Sequence, residues 1–211
     1  MPKAKPSKRP FRIGLTGSIG MGKTETAKLF ARLGIPVYHA DEAVHALYGQ
    51  GGAAVPKIAK AFPGSVKRGA VDRRALKRIL AGRDAAFKRL EKIVHPLVAR
   101  ARQNFLTKAR KAKAEFVVLD IPLLFETGGE KSVDAVVVVS APLAVQRERV
   151  LSRSGMTVKT WETLLSRQMP DAEKRAKADF VIETDKGLDH AFASVKRVVT
   201  TLRRQAQRQK A

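Results

Sequence analysis

Gly17-Ser18-Ile19-Gly20-Met21-Gly22-Lys23-Thr24 fits the spacing G-x-x-x-x-G-K-[ST] without a mismatch. It lies between an apolar run, Phe11 to Leu15, and a run with helical periodicity, Thr24 to Leu33. The order strand, glycine loop, helix has an electrostatic meaning. Glycines let the backbone close around an anion, so successive N–H groups and the N-terminus of the next helix point at its oxygens. The stretch Gly17 to Thr24 is thus expected to bind a nucleoside triphosphate such as ATP. Lys23 reaches its β- and γ-phosphates, and Thr24 offers its hydroxyl to a bridging Mg²⁺ ion.

Outward from the loop, the first helix stops at Gly34, and Ile35 to Tyr38 reads as a second strand with Asp41 just past its end. Ligands of open α/β sheets collect outside the carboxyl ends of strands, so Asp41 is expected to share a cleft with the loop. Two roles are open to it. It can orient an attacking hydroxyl and take its proton, or it can cap a helix over Glu42 to Tyr48. Phe116 to Ile121 reads as a strand buried on two faces, and Asp120 near its end is either an acid that holds Mg²⁺ or a helix-cap or turn acid. Leu123, Leu124 and Phe125 follow at the active edge, where they cover an acceptor or form satellite core.

Ala135 to Val139 and Phe180 to Ile182 read as further strands, and Leu143 to Arg153, Met156 to Gln168 and Leu188 to about Arg204 as helices. From Gly49 to Lys113 only helical patterns stand out: Val55 to Phe62, Arg73 to Leu80 and Ala85 to Lys111, with Pro96 expected to bend or split the last near His95. The alternation of strands and helices implies an α/β protein, a doubly wound parallel sheet in three α/β/α layers with a helical insert. Arg147, Arg149, Arg153 and Arg167 flank a segment hinged at Gly155. They are either a flap over the phosphates or a solvated basic face. His95 is either a buried ring or a contact to the acceptor. His39, His45, His95 and His190 show no metal-binding spacing.

The 211 residues carry a net charge of +23, no cysteine, and no apolar run of membrane-spanning length. Disulfides and thiolate metal sites are excluded, and a cytoplasmic place is expected. Nearly half of the excess charge sits in the acid-free ends, Met1 to Arg12 and Lys196 to Ala211. Basic ends of this kind are usually solvated, so nucleic acid is not expected as a partner, and part of the remaining charge suits polyanionic small substrates. A basic disordered segment is expected over residues 1–10 and a basic tail over 203–211.

The ordered set of motifs resembles the dephospho-coenzyme A kinase family. It consists of Gly14 to Thr24, Ala40-Asp41, His95-Pro96-Leu97-Val98, Asp120-Ile121-Pro122-Leu123-Leu124-Phe125-Glu126, Gln146-Arg147-Glu148-Arg149 with Arg153, Arg167-Gln168-Met169-Pro170 and Lys174 to Ile182. The resemblance implies transfer of the ATP γ-phosphate to the ribose 3′-hydroxyl of dephospho-coenzyme A. It also implies a P-loop nucleoside triphosphate hydrolase-type core over residues 11–40, 114–146 and 179–202, a helical acceptor insert over 41–113, and a lid over about 147–178. By position, Gly20 to Glu25 match the family's ATP loop and Asp41 its catalytic acid, with Lys23 and a lid arginine, Arg149 or Arg153, stabilising charge. His39 stands where an acid is common, and Glu25 where a small residue is usual. Leu164 stands where many members carry arginine. Glu183-Thr184-Asp185-Lys186-Gly187 replaces the usual asparagine-containing turn.

Overall fold

Valine-rich runs build the centre of the molecule. In the computed structural model, which describes residues 9–208, β1 (Phe11–Thr16), β2 (Val37–His39), β5 (Phe116–Asp120), β6 (Ala135–Ser140) and β7 (Phe180–Glu183) form one sheet in the order β2-β5-β1-β6-β7. β1 lies parallel to β5 and β6, and β6 parallel to β7. Every residue of β5 and β6 is buried, as expected of strands covered on both faces. Successive side chains of β6 alternate between the two cores. Val137 and Val139 pack with Phe30 of α1 (Lys23–Arg32) and with Val195 and Val199 of α9 (Leu188–Arg208). Val136 and Val138 face the other way, onto Leu124. The connection from β6 to β7 carries α6 (Leu143–Leu151), α7 (Val158–Leu165) and α8 (Asp171–Ala176).

The chain divides into two compact units. One runs to Tyr38 and resumes at Ala109, and the other is His39–Lys108. The second contains α2 (Ala40–Tyr48), α3 (Val55–Ala61), α4 (Arg73–Leu80) and most of α5 (Asp84–Lys111) around its own core of Ala54, Val55, Ile58, Phe62, Leu76 and Leu90. Asp72 caps α4, accepting from the N–H groups of Arg74 at 2.9 Å and Ala75 at 3.0 Å.

Three expectations need correction. The second unit contains an antiparallel hairpin, β3 (Val66–Lys67) and β4 (Ala70–Val71), where no strand was expected. Its turn places Arg68 and Gly69 at φ 51 and 74, the left-handed pair that matches the twist of a two-residue hairpin. Pro96 does not split the long helix, since α5 runs unbroken through it for 28 residues. The basic ends are shorter than expected. Arg9 forms a two-pronged ion pair with Asp134 at 2.7 and 2.8 Å, and α9 continues to Arg208. Residues 1–8 and 209–211 of the expected basic ends lie outside the described residues. No helix among those described is long and apolar enough to cross a membrane.

Candidate active site

The loop from Gly17 to Gly22 joins β1 to α1, and its glycines are required on two counts. Gly20 and Gly22 adopt φ 82 and 85, in the left-handed region. A Cβ on Gly17 would stand 2.6 Å from the Val139 carbonyl, and one on Gly20 2.6 Å from Val150 Cγ2. The Met21 N–H donates to the Ser18 carbonyl at 3.1 Å and closes the turn. Gly22 is the N-cap of α1 and provides no side-chain bond to the first N–H groups of the helix.

Lys23 forms an ion pair with Asp120, and both are largely withdrawn from solvent. The strand register explains the encounter. Leu15, just before the loop, pairs with Asp120 at the end of β5. Thr24 is exposed in the first turn of α1. Glu25, expected in the ATP loop, is exposed and bonded to Lys28 Nζ at 2.8 Å along the helix surface.

Other side chains reach the loop from behind. The Gln146 amide donates to the Ile19 carbonyl at 2.7 Å, and the Ile19 N–H donates to Gln168 Oε1 at 3.1 Å. The Thr184 hydroxyl donates to the Met21 carbonyl at 2.9 Å. Arg149, expected over the phosphates, is turned to Thr184 instead: Nη1 donates to its hydroxyl at 2.9 Å and Nη2 to its carbonyl at 2.7 Å. Arg153 is exposed, and its side chain has no partner among the described residues. The sequence singled out Gln146 and Gln168 only as members of motifs. Thr184 was visible only as the residue replacing an asparagine-containing turn.

Of the three apolar residues at the edge, Leu124 is completely buried among Val136 and Val138, so it is core and not an acceptor contact. Leu123 is exposed, and Phe125 is partly buried with Lys177 Nζ 6.0 Å from its ring centre. Glu126 accepts from the Met169 N–H at 2.8 Å and pairs with the fully buried Lys174 at 2.9 Å. Burial pushes the Glu126 carboxyl up, but Lys174 and the Met169 N–H together hold it below the usual carboxylate range. A cleft of about 600 Å³ opens at the ends of β6 and β7, lined by Met21, Ser140, Asp171, Arg175, Glu183 and Lys186 among others.

Asp41 and His95 belong to the helical unit. α2 begins at Ala40 with His39 as its N-cap, so Asp41 lies inside the first turn and is not the cap. Its carboxylate is exposed and has no hydrogen bond or ion pair among the described residues. His95 is exposed on α5, which excludes the buried-ring reading.

The family model for dephospho-CoA kinase matches residues 11–190. The chain is 56% identical to a dephospho-CoA kinase of Agrobacterium fabrum over 190 residues, covering 90% of this chain and 97% of that one. A Thermus thermophilus crystal structure superposes with a TM-score of 0.81 at 35% identity, covering 92% of this chain and 98% of that one. A Campylobacter jejuni dephospho-CoA kinase shares the fold with a TM-score of 0.62 at 21% identity, covering 90% of this chain and 96% of that one. A glycine loop closed on a lysine–aspartate pair, in a parallel sheet with this order of strands and motifs, is the setting in which the family match falls, and the chain belongs to the dephospho-CoA kinase family.

Proposed function

We propose that this chain transfers the γ-phosphoryl group of ATP to the ribose 3′-hydroxyl of dephospho-CoA, giving CoA and ADP. The family catalyses the final ATP-dependent step of CoA biosynthesis, and this chain is an enzyme of that family. The observation that carries the reading is the phosphate loop with Lys23 and Asp120 converged beside it. In the transfer the acceptor oxygen bonds to the γ-phosphorus while the bond to the β–γ bridging oxygen breaks. The hydroxyl proton passes to Asp41, whose carboxylate has no competing partner among the described residues. Lys23 and the loop N–H groups that have no partner among the described residues, those of Gly20 and Gly22, stabilise charge on the phosphates, and Arg153, whose guanidinium has no partner among the described residues, adds to this from the lid over about 147–178.

Thr24 and Asp120 are hard oxygen donors of the kind Mg²⁺ takes, and the ion is commonly held by one or two protein oxygens with phosphates and water completing its shell. When bound it neutralises phosphate charge. The cleft beside Met21 is of a size and place to take the nucleoside end of ATP. His95, Leu123 and Phe125 are candidates for acceptor contacts, with Leu124 fixing the segment from the core. A cytoplasmic place agrees with the absence of cysteine, and the basic body suits two polyanionic substrates better than nucleic acid.

An ADP-release assay with dephospho-CoA, adenosine and AMP as rival acceptors tests the reading. ADP release stimulated by dephospho-CoA alone is expected. Stimulation by a nucleoside or nucleoside monophosphate, and not by dephospho-CoA, would place the chain with another acceptor.

A further inference from the structure

Two peptide units of the phosphate loop are gripped from behind. In a trans peptide the carbonyl and the next N–H point in opposite directions, so whatever holds the first aims the second. No described peptide bond is cis. The Gln146 amide holds the Ile19 carbonyl at 2.7 Å and thereby turns the Gly20 N–H away from α6. The Thr184 hydroxyl holds the Met21 carbonyl at 2.9 Å and turns the Gly22 N–H away from the end of β7.

The glycines identify the same two residues as the back wall. A Cβ on Gly20 would lie 3.0 Å from the Gln146 carbonyl oxygen, and one on Gly22 would lie 3.1 Å from Thr184 Oγ1. Among the described residues neither the Gly20 nor the Gly22 N–H donates to any group. Two unpartnered donors that face away from the wall are what an anion in the loop requires.

We propose that Gln146 and Thr184 are positioning residues that aim the Gly20 and Gly22 N–H groups at the triphosphate before it binds, with Arg149 fixing the Thr184 hydroxyl. Arg149 donates to that hydroxyl at 2.9 Å and so occupies its acceptor side, leaving the hydrogen for the Met21 carbonyl at 2.9 Å, the nearer of its two acceptors, the other being the Ser140 carbonyl at 3.4 Å. Gln168 completes the grip. It takes the Ile19 N–H at 3.1 Å, which faces the Ser18 carbonyl the other way, toward the Met21 N–H that it accepts at 3.1 Å. The loop thus has its phosphate-binding shape without ligand, and binding does not have to order it.

The inference rests on the triphosphate reading, and the test separates the two. Calorimetric titration with ATP is compared among the parent chain, Thr184→Val, Thr184→Ser and Gln146→Met. Thr184→Val keeps the shape but loses the donor, and it and Gln146→Met are each expected to weaken ATP binding about tenfold, with the KM for the acceptor unchanged. Thr184→Ser keeps the donor and should restore ATP affinity to within about twofold of the parent. Equal affinity in the parent, Thr184→Val and Gln146→Met overturns the inference, as does a loss that Thr184→Ser shares in full. If Thr184→Val gives no cooperative melt, Gln146→Met decides by the same measure. A parent chain that binds no ATP defeats the functional reading instead.

Discussion

Asp41 stands two residues beyond the end of β2, in the first turn of α2 and with an exposed carboxylate. A carboxylate there gains a little from the helix dipole and is not needed as the cap, because His39 occupies that position. The local fold therefore demands little of this carboxylate. Asp41→Asn removes the charge and almost no volume, so it should lower kcat about 10²- to 10⁴-fold while ATP affinity stays within about twofold. Steady-state ADP release together with ATP titration checks this, and a parallel fall in ATP affinity would assign Asp41 to structure. The places of the loop after β1, of Asp41 after β2 and of Asp120 at the end of β5 were legible because motif spacing and strand ends locate them along the chain. The turn of Arg149 from phosphate to Thr184 was not, because one helix face offers a guanidinium several partners and only packing decides among them.

At the scale of elements, the buried Lys174 of α8 and Glu126 join the segment after β5 to the return from α7. Glu126→Gln leaves the ammonium without its counter-charge. Because Glu126 keeps contact with water, the cost is about 1–3 kcal/mol, below that of breaking a fully buried pair. The carboxyl is held below its usual value in the fold, so its contribution is complete above the unfolded-state pKa and is lost as pH falls through the folded value. Thermal melts should therefore separate parent and Gln variant at pH 7, and the gap should begin to close once pH falls below the ordinary carboxylate value of about 4. A pH-independent gap would mean that packing, not charge, holds the joint. Long periodic elements such as α4 and the apolar strands β5 and β6 could be read from sequence, since apolar spacing dictates them. The hairpin at Val66–Val71 could not, because two-residue strands have no alternation to read and the turn uses Arg68 in a left-handed conformation. α8 is six residues long and escaped for the same reason. Pro96 misled in the other direction. Its missing N–H affects one helical bond, whereas Val94 and Leu97 beside it pack into the core of the second unit and keep α5 continuous.

For the whole molecule the strongest influence is the net charge of +23, from 42 basic and 19 acidic side chains. The acids cannot pair with most of the bases, so the folded chain carries a positive field that repels itself and attracts polyanions. Surface charges lose most of their reach beyond about 10 Å at 0.1 M salt, which makes both effects adjustable. Raising NaCl from about 20 mM to about 300 mM should raise the melting temperature, because screened repulsion favours the compact state over the few surface pairs that salt weakens. The same change should raise the KM for ATP roughly three- to tenfold, because the local excess of anion at the loop falls. Lys23 and Asp120, paired beside the phosphate loop, are largely withdrawn from solvent and so little screened by salt, and kcat should change less than about twofold. Initial rates at several salt concentrations decide the matter. A KM independent of salt would show that the excess charge lies away from the path of the nucleotide, and a fall in kcat instead would place the salt-sensitive groups in the transfer itself.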